Sequence, residues 1–447
     1  MHRKYLKYIC DMIENPPKID VQNLPIEKIL QFNMADNAAL IHEINQKYLY
    51  WDRVKYHAPH GVDPELLWLF VKLSRKTNAK TIRFGNYNFT FMLTERMMSL
   101  LHIFDMNMGG NIATQSIIPE QDKKMYLINS IMEEAIASSQ MEGASTTRKV
   151  AKEMLRQQRK PKNKSQQMIM NNYLTISYLS DNKEMEFNMA NIQEVHRKIS
   201  ADTLDDPADE GRYRTTNDIV VQNAITGEIV HTPPSWDEIE SLLSDLCKFA
   251  NDDDPANFIH PIIKGIIVHF VMSYIHPFVD GNGRTARSMF YWYLLQKGYW
   301  LLEYLSISKI IYKGKAQYER AFLYAEADEL DISYFIHYHL EAMNQAYQDL
   351  KKYLARKIKE RHDTYKLVGQ QNINERQAKI IQMFYGKPDT TVYAKEIAVR
   401  FGVSEITARA DLRHLQTIGL LVELPMNKKS HIFKPVEDFY KIVDGMK

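Results

Sequence analysis

The run Ile262–Ile275 (IIKGIIVHFVMSYI) is almost wholly apolar and is followed at once by His276 and Pro277. Its length and bulk are those of a helix buried on every side. Proline lacks an N–H and restricts the residue before it, so the helix stops there and delivers His276 at its end. A second helical pattern, Ser288–Gln296, stops at Gly298. Asp280–Gly283 is therefore a tight loop that opens a helix.

The dozen residues His276–Arg287 (HPFVDGNGRTAR) combine one histidine, one carboxylate, two glycines, one asparagine and two arginines. The first N–H groups of a helix have no internal partner and the dipole is positive there, so the loop is an anion hole. Gly281 and Gly283 let a ligand approach the backbone closely. Arg284 and Arg287, three apart, share a helix face. Two cations there oppose the dipole by about 0.3–1 kcal/mol each, a conflict that a bound polyphosphate removes. Asp280 offers a hard oxygen ligand for magnesium, and His276 is left as the base. No GK[ST] follows the glycines, so this is not a Walker-type loop.

The stretch satisfies every position of, and so resembles, the signature of Fic-domain proteins. The resemblance implies a mainly α-helical domain that transfers AMP from Mg-ATP to a Ser, Thr or Tyr hydroxyl of a protein. It implies that His276 is the catalytic base, that Asp280 holds Mg2+, and that Gly281, Asn282, Gly283, Arg284, Thr285 and Ala286 contact the nucleotide. Arg287 meets the γ-phosphate, and Phe278 anchors the loop. Upstream, Ser138, Glu142 and Gly143 resemble the family's inhibitory motif. Met125–Met141 reads as a helix with Ile128, Ile131, Met132 and Ala135 on one face, ended by Gly143. Glu142 then lies at the negative end of the dipole, where an acid is disfavoured and a cation is wanted. The family reading supplies Arg287, whose capture would misplace ATP.

Ile219–Val221 and Glu228–Thr232 read as short strands joined by a turn around Thr226-Gly227. By position they resemble the family's flap, with Val220 beside the nucleotide and an edge that receives an extended target segment. Lys315–Asp331 resembles the segment that closes over the adenosine, with Tyr318 as a nucleotide contact. Glu326 departs from the asparagine often found near its place.

A net charge of +2 over 447 residues gives no global field for nucleic acid or anionic lipid. Cys10 and Cys247 exclude a disulfide framework and fit a reducing compartment. The N-terminus lacks a long apolar core, no run reaches a membrane span, and the histidines show no zinc spacing. The expectation is a cytoplasmic protein without membrane contact. A homodimer fits the resembling family.

Four parts are expected: a mostly helical region 1–120, a Fic domain 121–345, a helical connector 346–371 and a winged helix-turn-helix 372–447. In the first, Trp51, Trp68, Phe70 and Leu73 read as core and Arg53, Lys72, Arg75 and Lys76 as solvated, with a hairpin over Thr81–Thr94. Arg156–Gln167 reads as a solvated basic loop, and Asp252–Asp254 as a turn before a helix start. In the last part, helices Glu375–Phe384, Ala394–Phe401 and Glu405–Ile418, the turn at Gly402, the cap Ser404 and wing strands Leu420–Leu424 and His431–Lys434 resemble a winged helix. Thr407, Arg409, Arg413 and His414 would face a DNA groove, with Lys428 and Lys429 on phosphate. A protein partner, or packing on its own chain, is the alternative. Three readings of the whole stay open: an AMP transferase restrained by Glu142, a deAMPylase using the same site, and a transcription regulator that senses ATP.

Overall fold

The computed structural model describes residues 13–18, 34–109, 120–222, 227–367, 372–384, 391–427 and 430–446. Lys428, Lys429, Cys10 and Thr226 lie outside them. The protein is mainly helical, with three separate two-stranded sheets among the described residues. It divides into two units, Met1–Gln348 and Asp349–Lys447. None of the described helices is long and apolar enough to cross a membrane.

The first unit opens with α1 (Met34–Gln46), a one-turn helix Trp51–Val54, and α2 (Pro64–Asn78). Asp63 starts α2, its carboxylate accepting from Glu65 N–H at 3.0 Å, with Pro64 at the first helical position. The expected hairpin forms as β1 (Lys80–Phe84) and β2 (Tyr87–Phe91), in antiparallel register from Lys80↔Phe91 to Phe84↔Tyr87. Its inward side buries Phe84, Phe89 and Phe91.

Three sequence readings here are corrected. Leu73 is 43% exposed, whereas Arg75 is only 2% exposed. Arg75 donates to Asn45 Oδ1 at 2.9 Å, Tyr334 OH at 2.6 Å and Leu49 O at 2.7 Å, and stacks over the Tyr48 ring at 4.2 Å. A buried guanidinium is tolerable because its donors are met. Lys72 is half-buried rather than solvated, and pairs with Asp328 at 2.7 Å.

After α3 (Glu95–Met108) comes α4 (Glu120–Met141), which starts five residues before the sequence reading. Met132 and Ile136 pack on Ala151, Met154, Leu155 and Ile169 from α5 (Arg148–Arg156) and α6 (Lys164–Asp181). Ile131 and Ala135 meet Ile176 of α6. Ile128, expected on this face, is 36% exposed. Lys164, placed by sequence in a solvated loop, begins α6 behind an Asn163 cap. Next come α7 (Met189–Ser200), the short pair β3 (Val221–Gln222) and β4 (Ile229–His231), and α8 (Ile239–Asn251). Asp254 caps a single 3-10 turn at Pro255–Asn257, as the acidic run suggested.

The centre is α9 (Pro261–Ile275) against α10 (Asn282–Gln296). Every residue from Ile262 to Met272 is buried. The two helices touch at Gly265, where an added Cβ would lie 3.0 Å from Leu294 and 3.2 Å from Tyr293. α11 (Ile307–Lys313), α12 (Lys315–Ala327) and α13 (Ser333–Leu367) follow.

The second unit holds α14 (Glu375–Phe384), α15 (Ala394–Phe401), α16 (Glu405–Thr417), the hairpin β5 (Leu421–Asn427) and β6 (Ser430–Pro435), and α17 (Phe439–Met446), which the sequence reading did not include. Gly402 turns the chain with φ +66°, and Ser404 Oγ caps α16 by accepting from Thr407 N–H at 3.1 Å. Phe384, Ile397, Leu412, Leu415, Phe433 and Phe439 form the core.

Candidate active site

His276 sits at the end of α9 in the left-handed region, φ 49° and ψ 57°. A non-glycine residue held there stores strain, which directs its side chain away from the helix. Its Nδ1 lies 3.2 Å from the Ser273 carbonyl, which can only accept. Nδ1 therefore carries the hydrogen, and the Nε2 lone pair is left for a proton. Burial pushes the ring down to about 4, so it is neutral at pH 7.

The following loop is built by its own side chains. Asn282 Oδ1 accepts from Phe278 N–H at 2.9 Å, and its Nδ2 donates to Phe278 O at 2.8 Å. The Asn282 side chain is thus taken by the loop, and only its backbone faces a ligand. Gly281 adopts φ +80°, where a side chain would be strained, and begins α10. His196, which sequence reasoning missed, braces this turn. Its ring stacks on Phe278 with centroids 3.6 Å apart. Gly211 N–H donates to its Nδ1 at 3.0 Å, so Nε2 carries the hydrogen and donates to Asp280 O at 2.8 Å. Burial lowers its pKa to about 4, consistent with that neutral tautomer.

Arg287 is the meeting point. Its Nε donates to Ser138 Oγ at 2.9 Å, and its Nη2 donates to Ser138 O at 3.0 Å and to Glu142 Oε1 at 2.8 Å. Thus one guanidinium ties α10 to α4, some 145 residues away in sequence, beside the bond from Tyr291 OH to Glu134 Oε2 at 2.8 Å. Burial pushes the Glu142 carboxyl up, but Arg287, with Arg284 and Lys315 behind it, outweighs this and holds the carboxyl below its usual range. Gly143, with φ +93°, ends α4, and its neighbour Ala144 N–H closes back on Ser139 O at 3.0 Å. Glu142 lies directly over Gly283: a Cβ there would be 2.9 Å from the Glu142 Cδ.

Arg284 is fully buried and donates to Ile199 O at 3.1 Å, while its Nε and Nη2 have no partner among the described residues. A buried guanidinium with unmet donors is an anion site in waiting. Thr285 and Ala286 are fully buried and line neither cavity of the site, and Thr285 Oγ1 is bonded to Gly281 O at 2.9 Å. Tyr318 lines the main cavity, but its hydroxyl sits 3.0 Å from His269 Nε2. His269 in turn lies 3.1 Å from His339, so Tyr318 begins a buried polar chain.

Two neighbouring cavities, of about 320 Å3 and about 300 Å3, share Glu142, Gln222, His276 and Gly283 in their walls. The first extends along α12; the second includes Val220, Asp280 and Asn282. Asp280 is exposed, with Oδ1 accepting from Gly281 N–H. Among the described residues no three His, Cys, Asp or Glu side chains converge on a metal position. A single carboxylate suits magnesium that arrives with phosphates.

Arg214, also missed, fixes His276 to the β3–β4 segment. It donates to His276 O at 3.0 Å and Thr216 O at 2.8 Å, and also bonds Pro234 O, while its own N–H reaches Pro277 O at 2.9 Å. Nothing local marks this arginine; its partner at His276 is 62 residues away. Lys315 donates to Met141 O at 3.0 Å, capping the C-terminal end of α4.

Residues 186–294 match the family model described as Fic/DOC family. The chain is 32% identical over 127 residues to a Caenorhabditis elegans protein named protein adenylyltransferase fic-1, covering 28% of this chain and 23% of that one. It is 32% identical over 117 residues to protein adenylyltransferase Fic of Nematostella vectensis, covering 26% and 25%. The chain thus spans about a quarter of the length of these curated relatives. The fold is similar to that of a Fic family protein from Desulfovibrio desulfuricans G20, with a TM-score of 0.50 at 18% identity over 77% of this chain and 97% of that one.

Proposed function

We propose that this chain, which carries a Fic domain, is a protein adenylyltransferase restrained by its own Glu142. The observation that carries the reading is the bond between Glu142 and Arg287 beside a neutral His276 whose free ring nitrogen is Nε2. ATP is the substrate, with its phosphates over Gly281–Gly283 and the unpartnered donors of Arg284. Magnesium, held by Asp280, would supply neutralisation of the phosphate charge. A target Ser, Thr or Tyr hydroxyl loses its proton to His276 Nε2. Its oxygen bonds to the α-phosphorus as the bond from that phosphorus to the bridging oxygen breaks, and pyrophosphate leaves with the electron pair. The β3 edge receives the target segment by strand addition.

Glu142 restrains the reaction in two ways. It holds Arg287, and its carboxylate lies over Gly283, where a phosphate needs to approach. Labelling with ATP carrying its label on the α-phosphate tests the reading: strong label in Glu142→Gly, and none after His276→Ala in that background. Release of AMP from a modified target, lost in Glu142→Gly, would instead establish the reverse reaction.

A second reading concerns the C-terminal unit. Arg409 and Arg413 lie on the exposed side of α16, four residues apart. This favours DNA in a winged-helix manner, tested by a footprint that weakens steeply with salt and with Arg413→Ala.

A further inference from the structure

We propose that the pair His231–Glu326 reads the nucleobase, selecting one that presents an exocyclic amino donor: adenine over hypoxanthine. This rests on the nucleotide-binding part of the proposed function.

The main cavity has two chemically distinct ends. α12 runs along it from Lys315, bonded to the end of α4, to Glu326, a separation of about 16 Å at the helical rise. The Lys315 end holds Gly283 and Arg287, the anion-binding groups. Towards the other end the wall includes Val230, Tyr274, Phe322 and Leu323, surfaces suited to a flat ring. Glu326 places a carboxylate in that wall.

A second element holds that carboxylate in place. His231 Nδ1 is 2.7 Å from Glu326 Oε2, and its Nε2 is 2.8 Å from Tyr274 O. His231 is 8% exposed and Glu326 23%, so the pair is largely shielded from water. The ring, held between the Tyr274 carbonyl and Glu326 Oε2, fixes the carboxylate in orientation and leaves Glu326 Oε1 unbonded among the described residues. That oxygen is an acceptor with no donor of its own. A base bringing an amino group satisfies it; a base bringing a carbonyl sets two acceptors against each other, and such mismatches in polar sites discriminate strongly. Nothing in the segment YERAFLYAEA marks this in advance, because His231 arrives from β4, 95 residues earlier.

The test compares ATP with inosine triphosphate, which differs in carrying a carbonyl in place of the adenine amino group. Equilibrium binding and α-phosphate labelling are both measured on the full chain carrying Glu142→Gly. Tighter binding of ATP by about tenfold or more is expected. Adding Glu326→Gln supplies a donor as well as an acceptor, and should bring the ratio towards one by improving the inosine nucleotide. His231→Ala, which releases the Glu326 carboxylate from its fixed orientation, should lower the preference for ATP. Equal binding of the two nucleotides by the Glu142→Gly protein would overturn the proposal, and so would an unchanged ratio in folded Glu326→Gln. If Glu326→Gln fails to fold, the first comparison alone decides. Selective binding without label would sink AMP transfer and leave base reading standing. No binding of either nucleotide would sink both.

Discussion

Removing Glu142 gives the most direct measure of the restraint. Arg287 is 4% exposed at its side chain and Glu142 31%, and they meet at 2.8 Å. A hydrogen bond between charged groups contributes about 1.5–3 kcal/mol. If that bond must break before ATP is seated productively, Glu142→Gly should raise the initial rate of AMP incorporation about 10- to 100-fold. Glu142→Gln keeps an acceptor for Arg287 but loses the charge. It keeps a hydrogen bond to the charged guanidinium without the ion-pair attraction, and should fall between wild type and Glu142→Gly. The fold should survive, because Ser138 Oγ and Ser138 O still receive from the guanidinium. The loss in stability should therefore be about 1–3 kcal/mol, below the about 3–5 kcal/mol of a fully stripped buried charge. Rates are read with α-labelled ATP and stability by thermal melting. Equal labelling by wild type and Glu142→Gly, with both binding ATP equally, would refute the idea that this bond restrains catalysis.

Other outcomes are also open to measurement. Since burial holds His276 at about 4, the activity of Glu142→Gly should keep its neutral base down to near pH 5; an acid limb centred near 6.5 would assign the base elsewhere. His196 and His276, each lowered to about 4, and His339, lowered to about 3, stay neutral in the fold. The unfolded chain binds protons below about 6.5 that the folded chain does not, so each contributes stability above that pH which is lost, by up to about 1.4 kcal/mol per unit, as pH falls towards the folded value. Denaturant midpoints between pH 7 and 5 check this, and a flat profile would contradict it. Gly265→Ala should cost about 1–3 kcal/mol by crowding Leu294 and Tyr293, read as a lower melting temperature. Arg75→Met strips Asn45, Tyr334 and Leu49 of a shared donor and should cost about 3 kcal/mol or more.

The helices were legible where one local rule sufficed. The apolar run before Pro277, the Gly402 turn and the Ser404 cap each announce their element. The start of α4 at Glu120 was not, since a polar first turn carries no apolar periodicity. Arg75 reads as solvated on its own helix because Asn45 and Tyr334, which receive it, come from distant segments. The loop His276–Arg287 was readable as chemistry, but the division of labour inside it was not. Asn282 is occupied by Phe278, Thr285 by Gly281, and His196 arrives from α7. Such assignments depend on three-dimensional packing, which a linear pattern of residue types does not encode.

Arg214 bonds the carbonyl of His276 on one side and Thr216 and Pro234 on the other. The spacing between His276 and the β3–β4 segment is thereby set by one side chain. Under the proposed strand addition, substitution at the exposed Ile229 should change which polypeptides are accepted while the chemical step proceeds unaltered.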